Sequence, residues 1–257
     1  MELPKKHLSH SQINMFIRCP KQYYYRYIEE LVSPPSGMLI LGKSGHEAIG
    51  YNYGQKIESH KDLKTSEVVD YFAEDFDSRV ENEEPVFTDK TPGQLKDSGV
   101  SVLKEYQKTK SKLIQPKAVE QEFNIEFENV DYGLKGFIDL VTNDEKVIDH
   151  KFSKRTPNQA ALDESLQLTA YRAGYEWLFE SEPKELGFDY LITKKKPEIR
   201  YFETFRTKED VDEYMELLGQ ISELIKTGIF YKNTQGWQCS EKFCGYFSKC
   251  RPHKTIF

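Results

Sequence analysis

The chain has 257 residues, of which 38% are hydrophobic and 13% aromatic. That suits one large domain, or a domain carrying an insertion, and excludes wholesale disorder. Lys and Arg total 36 against 42 Asp and Glu, a formal net charge of −6, which argues against a general nucleic-acid coat protein but leaves room for locally basic sites. No apolar run reaches the ~18–20 residues that span a bilayer, and Met1 to His10 hold no apolar signal core, so the expectation is a cytosolic protein with no membrane contact.

In chain order, Ser9 and Gln12 have capping-box spacing, which predicts a helix from Ser9 to about Cys19-Pro20. Tyr23, Tyr24, Tyr27, Ile28 and Leu31 recur at helical spacing, as packing residues would. Ser33-Pro34-Pro35-Ser36-Gly37 breaks that pattern. A second helix, from about Leu39 to Tyr51, carries His46. Residues 52–113 are polar and mostly helical in pattern, with breaks near Pro85 and Pro92-Gly93, and read as a helical insertion.

Three strands are then expected over Ala118–Phe127, Gly133–Val141 and Lys146–Phe152, the first with alternating Val119, Gln121, Phe123, Ile125 and Phe127. A long helix from about Asn158 to Phe179, strands at Leu186–Thr193 and Arg200–Phe205, and a helix over Lys208–Thr227 follow. The tail from Gly236 to Phe257 is irregular and bears three cysteines. This order of elements implies an α/β fold with a mixed sheet flanked by helices.

The richest segment is Gly136-Phe137-Ile138-Asp139-Leu140 followed by Val147-Ile148-Asp149-His150-Lys151. Between them, Thr142-Asn143-Asp144-Glu145 is good turn chemistry. A hairpin centred on Asp144 sets Val141 opposite Val147 and Asp139 opposite Asp149. Opposed residues have Cβ atoms ~4.5–5.5 Å apart, so two carboxylates there would repel unless a divalent cation lay between them, and oxygen ligands suit Mg²⁺ or Mn²⁺. Lys151, two residues past Asp149, shares its strand face. A carboxylate-held cation beside an ammonium is the equipment of phosphodiester hydrolysis: the cation lowers the pKa of a bound water and the lysine stabilises developing charge. Basic clusters also occur at Lys151/Lys154/Arg155 and at Lys194/Lys195/Lys196; each could be a solvated loop, and for the lysine triplet alone that is the simplest explanation.

With Gln167-Leu168-Thr169-Ala170-Tyr171 added, these segments resemble the RecB-like branch of the PD-(D/E)XK nuclease superfamily. Its members show a glycine-containing strand ending in Asp, a (D/E)-x-K strand and a Q-x-x-x-Y helix, with an upstream histidine matched here by His46. The resemblance implies a restriction-endonuclease-like core acting on DNA, with His46, Asp139, Asp149 and the carbonyl of His150 holding the metal and Lys151 catalytic. Gln167 and Tyr171, four apart on one helix face, would line the site. Glu120 and Glu122 share a strand face and either could approach, and the sequence does not choose between them.

Cys19 in Arg18-Cys19-Pro20 precedes these motifs, and Cys239, Cys244 and Cys250 follow them. In a reducing compartment, metal binding is a stronger explanation than disulfides. One early and three late cysteines are similar to the iron–sulfur exonucleases, namely the AddB nuclease domain and the CRISPR-adaptation nuclease, which implies a 4Fe-4S cluster clamping the termini. Four residues rather than the family's two separate Cys239 from Cys244. A tetrahedral zinc site and unligated thiols stay open. The combined expectation is a single nuclease domain over 1–257, an exonuclease on single strands or ends, working alone or beside a helicase or integrase. Its rivals are a non-catalytic DNA-binding subunit and an RNA-directed nuclease. An iron–sulfur redox protein is disfavoured because no G-x-G-x-x-G fingerprint is present.

Overall fold

The computed structural model describes residues 6–127 and 132–254. In chain order the elements are β1 (His7–Leu8), α1 (His10–Arg18), α2 (Pro20–Tyr23), α3 (Gly37–Ser59), α4 (Thr65–Glu83), α5 (Pro92–Thr109), β2 (Pro116–Glu126), β3 (Gly133–Thr142), β4 (Lys146–Ser153), α6 (Gln159–Asp163), α7 (Leu166–Phe179), β5 (Glu185–Ile192), β6 (Glu198–Thr204), α8 (Lys208–Thr227) and α9 (Phe247–Cys250). The residues gather into two compact units. One draws on Met1–Pro34, Asn124–Gly136 and Lys208–Phe257, the other on Pro35–Phe123 and Phe137–Thr207. The chain of β2 and of β3 runs from one unit into the other.

In the first unit, α1 starts at the expected capping box: Gln12 N–H donates to Ser9 Oγ at 3.3 Å, and Ser9 N–H to Gln12 Oε1 at 2.7 Å. This satisfies two of the four donors that a helix start leaves open. The helix α1 packs on α8, whose buried residues Val211, Tyr214, Leu218, Ile221 and Ile225 recur every three or four positions, the stripe of an amphipathic helix. After α2 the chain makes a π-helical turn at Tyr24–Ile28. Here Tyr23 and Tyr25 are buried, and Tyr23 stacks at 6.3 Å on Phe230, so these tyrosines pack as their spacing suggested. The short β1 runs parallel to the start of β3, with His7 opposite Gly133. Two residues are too few for a periodicity signal.

The second unit holds the rest of the sheet. The strands β3 and β4 form an antiparallel hairpin in which Val141 faces Val147 and Leu140 faces Ile148, the expected register. Its loop carries Glu145 at φ 64°, a three-residue hairpin turn with a left-handed last position, and Thr142 Oγ1 donates to Asp144 Oδ1 at 2.6 Å. The next pairing, β4 with β5, is parallel, and β5 with β6 is antiparallel; β2 pairs with β3. The sheet is therefore mixed and flanked by helices, as the α/β reading requires: α3 and α7 pack on β4, and α5 on β5 and β6. Residues 52–113 form the end of α3, then α4 and α5. Their Tyr53, Val68, Phe72, Phe76, Val102, Leu103 and Tyr106 share one buried cluster with Leu140, Ile148 and Leu191 of the strands.

Two expectations change. The helix expected over Leu39–Tyr51 runs from Gly37 to Ser59 and ends at His60 in the left-handed region, φ 56°. The helix expected over Asn158–Phe179 is two helices, α6 and α7. The break is held by Arg206, whose guanidinium donates to the carbonyls of Leu162 at 3.0 Å and Ser165 at 2.9 Å. A distant arginine satisfying those acceptors leaves no glycine or proline signature in the local sequence.

Candidate active site

Four elements of the second unit converge. The helix α3 brings His46. It approaches β4 closely because Gly45 lies against Phe152: a Cβ at Gly45 would sit 2.1 Å from that ring. The strand β3 supplies Asp139; β4 supplies Asp149, His150 and Lys151; α7 supplies Gln167 and Tyr171, one turn apart. A further contributor is one of the two glutamates between which the sequence did not choose. Glu120 in β2 has φ 47°, a conformation costly for a residue with a side chain and characteristic of functional kinks. Before it Pro116 is buried and after it Phe123 and Ile125 are, so the inward face changes parity across Glu120, as a bulge makes it do. The kinked strand points its carboxylate at His46 and Asp139.

His46 Nδ1 is 3.0 Å from Asp139 Oδ2, which also accepts the backbone N–H of His150 at 3.0 Å. One potential ligand atom each from His46, Glu120 and Asp139 lie within 4.8 Å of one another. Tyr171 hydroxyl joins the two aspartates, 3.2 Å from Asp139 Oδ1 and 3.3 Å from Asp149 Oδ1. Lys151 Nζ is 2.7 Å from Asp149 Oδ2. Gln167 bridges this pair, accepting from Lys151 at 2.8 Å and donating to Asp149 at 2.7 Å. The His150 ring has Nδ1 3.8 Å from Asp139 Oδ2 and Nε2 2.9 Å from the buried Tyr106 hydroxyl, which in turn reaches Asp189 at 3.3 Å.

The titrations follow from this crowding. Burial lifts the Glu120 carboxyl to about 7, with repulsion from Asp139 adding to it. Burial pushes the His46 imidazole down, but the Asp139 charge and hydrogen bond outweigh it and raise it to about 9. Burial likewise opposes ionisation of Asp139, yet the His46 charge holds that carboxyl well below its usual range. Asp149 is raised, by burial and by Asp139, against the pull of Lys151. The Lys151 amine, despite burial, stays above its usual range because Asp149 is beside it, so at neutral pH it is an ammonium.

A profile of the PD-(D/E)XK nuclease superfamily matches residues 7–251. This chain belongs to the PD-(D/E)XK nuclease superfamily. Its fold is similar to the crystal structure of "Putative exonuclease" from Eubacterium rectale, with a TM-score of 0.62 at 11% identity over 98% of this chain and 89% of that one. The crystal structure of SSO0001 aligns over 98% of this chain and 88% of that one at 12% identity, with a TM-score of 0.41. No curated protein matches. Nucleases of this superfamily typically use Mg²⁺ or Mn²⁺. The donor set of this PD-(D/E)XK nuclease fits a small hard cation: two carboxylates and one imidazole around one point.

The first unit of the nuclease carries the cysteines. Cys19, Cys239, Cys244 and Cys250 line one pocket with Tyr25, Gln238 and Arg251, and all four are free thiols. The early and late segments are tied there by hydrogen bonds from Lys21 N–H to the Tyr231 carbonyl at 3.0 Å and from Asn233 to the Arg18 carbonyl at 2.9 Å. Burial raises the Cys244 thiol, with the other three sulfurs contributing. Among the described residues, no three of these sulfurs gather within 4.8 Å of one another as His46, Glu120 and Asp139 do.

Glu120 is the residue that sequence reasoning left undecided. Strict alternation through Val119 and Gln121 turns Glu120 outward, and only the left-handed kink brings it in. Tyr106 and Asp189, behind His150, also went unread; Tyr106 has the sequence signature of an ordinary core position, and Asp189 is a lone carboxylate within an apolar strand.

Proposed function

We propose that the protein is a Mg²⁺- or Mn²⁺-dependent deoxyribonuclease that hydrolyses phosphodiester bonds, acting as an exonuclease on single strands or DNA ends. The observation that carries this reading is the meeting of a cation-sized donor group (His46, Glu120, Asp139) with the Asp149–Lys151 ion pair, both linked through the Tyr171 hydroxyl. His46, Glu120, Asp139 and Asp149 would hold the cation, together with the His150 carbonyl. When bound, the cation supplies Lewis-acid polarisation of the phosphate and a water of lowered pKa. Lys151, a cation fixed by Asp149 and Gln167, stabilises the charge that develops on the phosphate oxygens. Gln167 and Tyr171 keep Lys151 and the two aspartates in register, so little reorganisation is needed when the reaction occurs. The name of the Eubacterium rectale neighbour favours exonuclease action. The helicase or integrase partnership belongs to the same reading.

We also infer that the cysteine pocket holds a structural 4Fe-4S cluster clamping residue 19 to residues 236–254. Four thiolates around one zinc ion at ~2.3 Å would bring the sulfurs to about 3.8 Å from each other. A 4Fe-4S cluster instead takes each sulfur on a different iron, and what supports a metal clamp is the one pocket that all four cysteines line.

The test is degradation of end-labelled single- and double-stranded DNA, and of RNA of the same sequence, by wild type and Asp149→Ala with Mg²⁺, Mn²⁺ or EDTA. Metal-dependent DNA loss by wild type alone is the expected result, and the two label positions give polarity. Cleavage of RNA in preference to DNA would make it an RNA-directed nuclease. Failure to cleave any polynucleotide with the cysteine clamp intact would turn it into a non-catalytic binding subunit. Iron and acid-labile sulfide in anaerobically purified protein test the clamp, and a colourless zinc-containing preparation overturns it.

A further inference from the structure

Two basic clusters far apart in sequence end up side by side. The parallel pairing of β4 with β5 runs in register from Lys146 opposite Glu185 to Ser153 opposite Ile192, so the two strands finish at the same level. Beyond that level the Ser153 carbonyl accepts the Thr193 N–H at 2.8 Å and the Thr193 hydroxyl at 3.2 Å, which fastens the two strand ends together. The next residues along one strand are Lys154 and Arg155; along the other they are Lys194, Lys195 and Lys196. All five are exposed. The bend after β4 is itself fixed, since Ser153 Oγ accepts the Arg155 N–H at 3.1 Å and donates to the Arg155 carbonyl at 2.7 Å.

In a chain of net charge −6, five cations on one strand end are a local reversal of sign. Their acidic neighbours offset only part of it. Lys154 pairs with Asp89 at 2.5 Å and Lys194 with Glu198 at 3.3 Å. Among the described residues, Arg155, Lys195 and Lys196 make no ion pair. The patch also continues from the candidate active site. Lys151 lies on β4 three residues before Lys154, which follows the end of that strand, about 10 Å away at ~3.3 Å per residue. Ligands of open α/β sheets bind beyond the carboxyl ends of parallel strands, and that is where the cations stand.

We propose that the joined ends of β4 and β5 are the track for the phosphodiester backbone of the substrate strand, with Lys154, Arg155, Lys195 and Lys196 contacting phosphates on one side of the bond to be cut. This rests on the nuclease reading and adds the side from which the strand enters. The patch sets affinity and placement rather than chemistry, because phosphate contacts position a nucleic acid without reading its sequence.

The experiment compares wild type with the quadruple variant Lys154→Gln/Arg155→Gln/Lys195→Gln/Lys196→Gln. The control is Lys104→Gln/Lys108→Gln, which removes two exposed lysines of α5. Binding of fluorescein-labelled single-stranded DNA, and of RNA of the same sequence, is followed by anisotropy in EDTA across a salt series; KM and kcat are measured with Mn²⁺. The expected result is a Kd and KM at least tenfold higher in the quadruple variant, with a much smaller change in kcat. The slope of log Kd against log salt should also become shallower by roughly 2–3, at ~0.7 for each single-strand phosphate that the variant leaves unneutralised. The α5 control should stay within about twofold, because lysines away from the track neutralise no phosphate. Circular dichroism reports the fold of each variant. A quadruple variant that binds with wild-type affinity and salt slope, while wild type cleaves, overturns the track and leaves the nuclease reading standing. Equal weakening by the α5 control overturns it too, since any lysine would then do. Wild type that neither binds nor cleaves any polynucleotide overturns the nuclease reading, and the track with it.

Discussion

Glycine to alanine at two helix positions of this protein should change stability in opposite directions. Gly54 is exposed in the interior of α3, and a Cβ added there meets nothing within 4 Å. Gly54→Ala removes backbone freedom from the unfolded chain at no steric cost and should stabilise by about 0.5–1 kcal/mol. Gly174 is buried in α7, and a Cβ there would fall 2.4 Å from Phe123 of β2, a ring with 1% exposure. The same propensity gain of ~1 kcal/mol applies, but a ring with no room to move must be displaced, and overpacking of this kind costs ~1–3 kcal/mol. Gly174→Ala should therefore be net destabilising, by up to about 2 kcal/mol. Because α7 carries Gln167 and Tyr171 and β2 carries Glu120, the displacement should also lower kcat and metal affinity. Gly174→Ala/Phe123→Leu restores space and should recover part of both. Urea unfolding of the metal-free variants at pH 7, with Mn²⁺ titration calorimetry, measures this. If Gly174→Ala stabilised the protein as Gly54→Ala does, the close approach of α7 to β2 would be refuted.

The remaining predictions concern the cation and the clamp. Glu120→Gln keeps the shape of the side chain and removes its charge, so Mn²⁺ affinity should fall tenfold or more while the DNA affinity measured in EDTA holds; unchanged Mn²⁺ binding would remove Glu120 from the ligand set. Metal affinity should rise with pH. The raised His46 pKa, about 9, means that its ion pair with Asp139 stabilises the metal-free protein fully below its ordinary value near 6.5 and is lost as pH climbs through about 9. That proton competes with the cation, as does the one on Glu120 at about 7. Calorimetry from pH 6 to 9 should show tightening Mn²⁺ binding with falling proton release. Lys151→Ala leaves Asp149, 1% exposed, without its counter-ion. The metal-free variant should lose about 3 kcal/mol, seen as an earlier urea midpoint, and added Mn²⁺ should restore part of it while cleavage stays lost. Cys244→Ser should cut the yield of folded protein and abolish bound iron without moving the Mn²⁺ affinity of the other unit; full stability in this variant would argue for unligated thiols.

What was readable from the sequence follows local rules. The register of β3 on β4 came from two apolar runs and a turn of Thr, Asn, Asp and Glu, because alternation and turn chemistry act over a few residues. The face shared by Asp149 and Lys151, and that shared by Gln167 and Tyr171, came from the strand and helix periods. The break between α6 and α7 was not legible, since the group that holds it, Arg206, is some forty residues away. Nor was the choice of Glu120 over Glu122, which hangs on one left-handed φ inside β2. The cysteines at 19 and at 239–250 could be paired with each other only by resemblance, and their common pocket belongs to the fold. Lys194–Lys196 alone read as a solvated loop, and its neighbourhood with Lys154/Arg155 emerged only when parallel pairing set the ends of β4 and β5 side by side. Apart from the local φ at Glu120, the deciding interaction in these cases is a hydrogen bond or packing contact between distant segments. Its cost is the closure of a long loop, and that is met only when the whole sheet and its helices have formed.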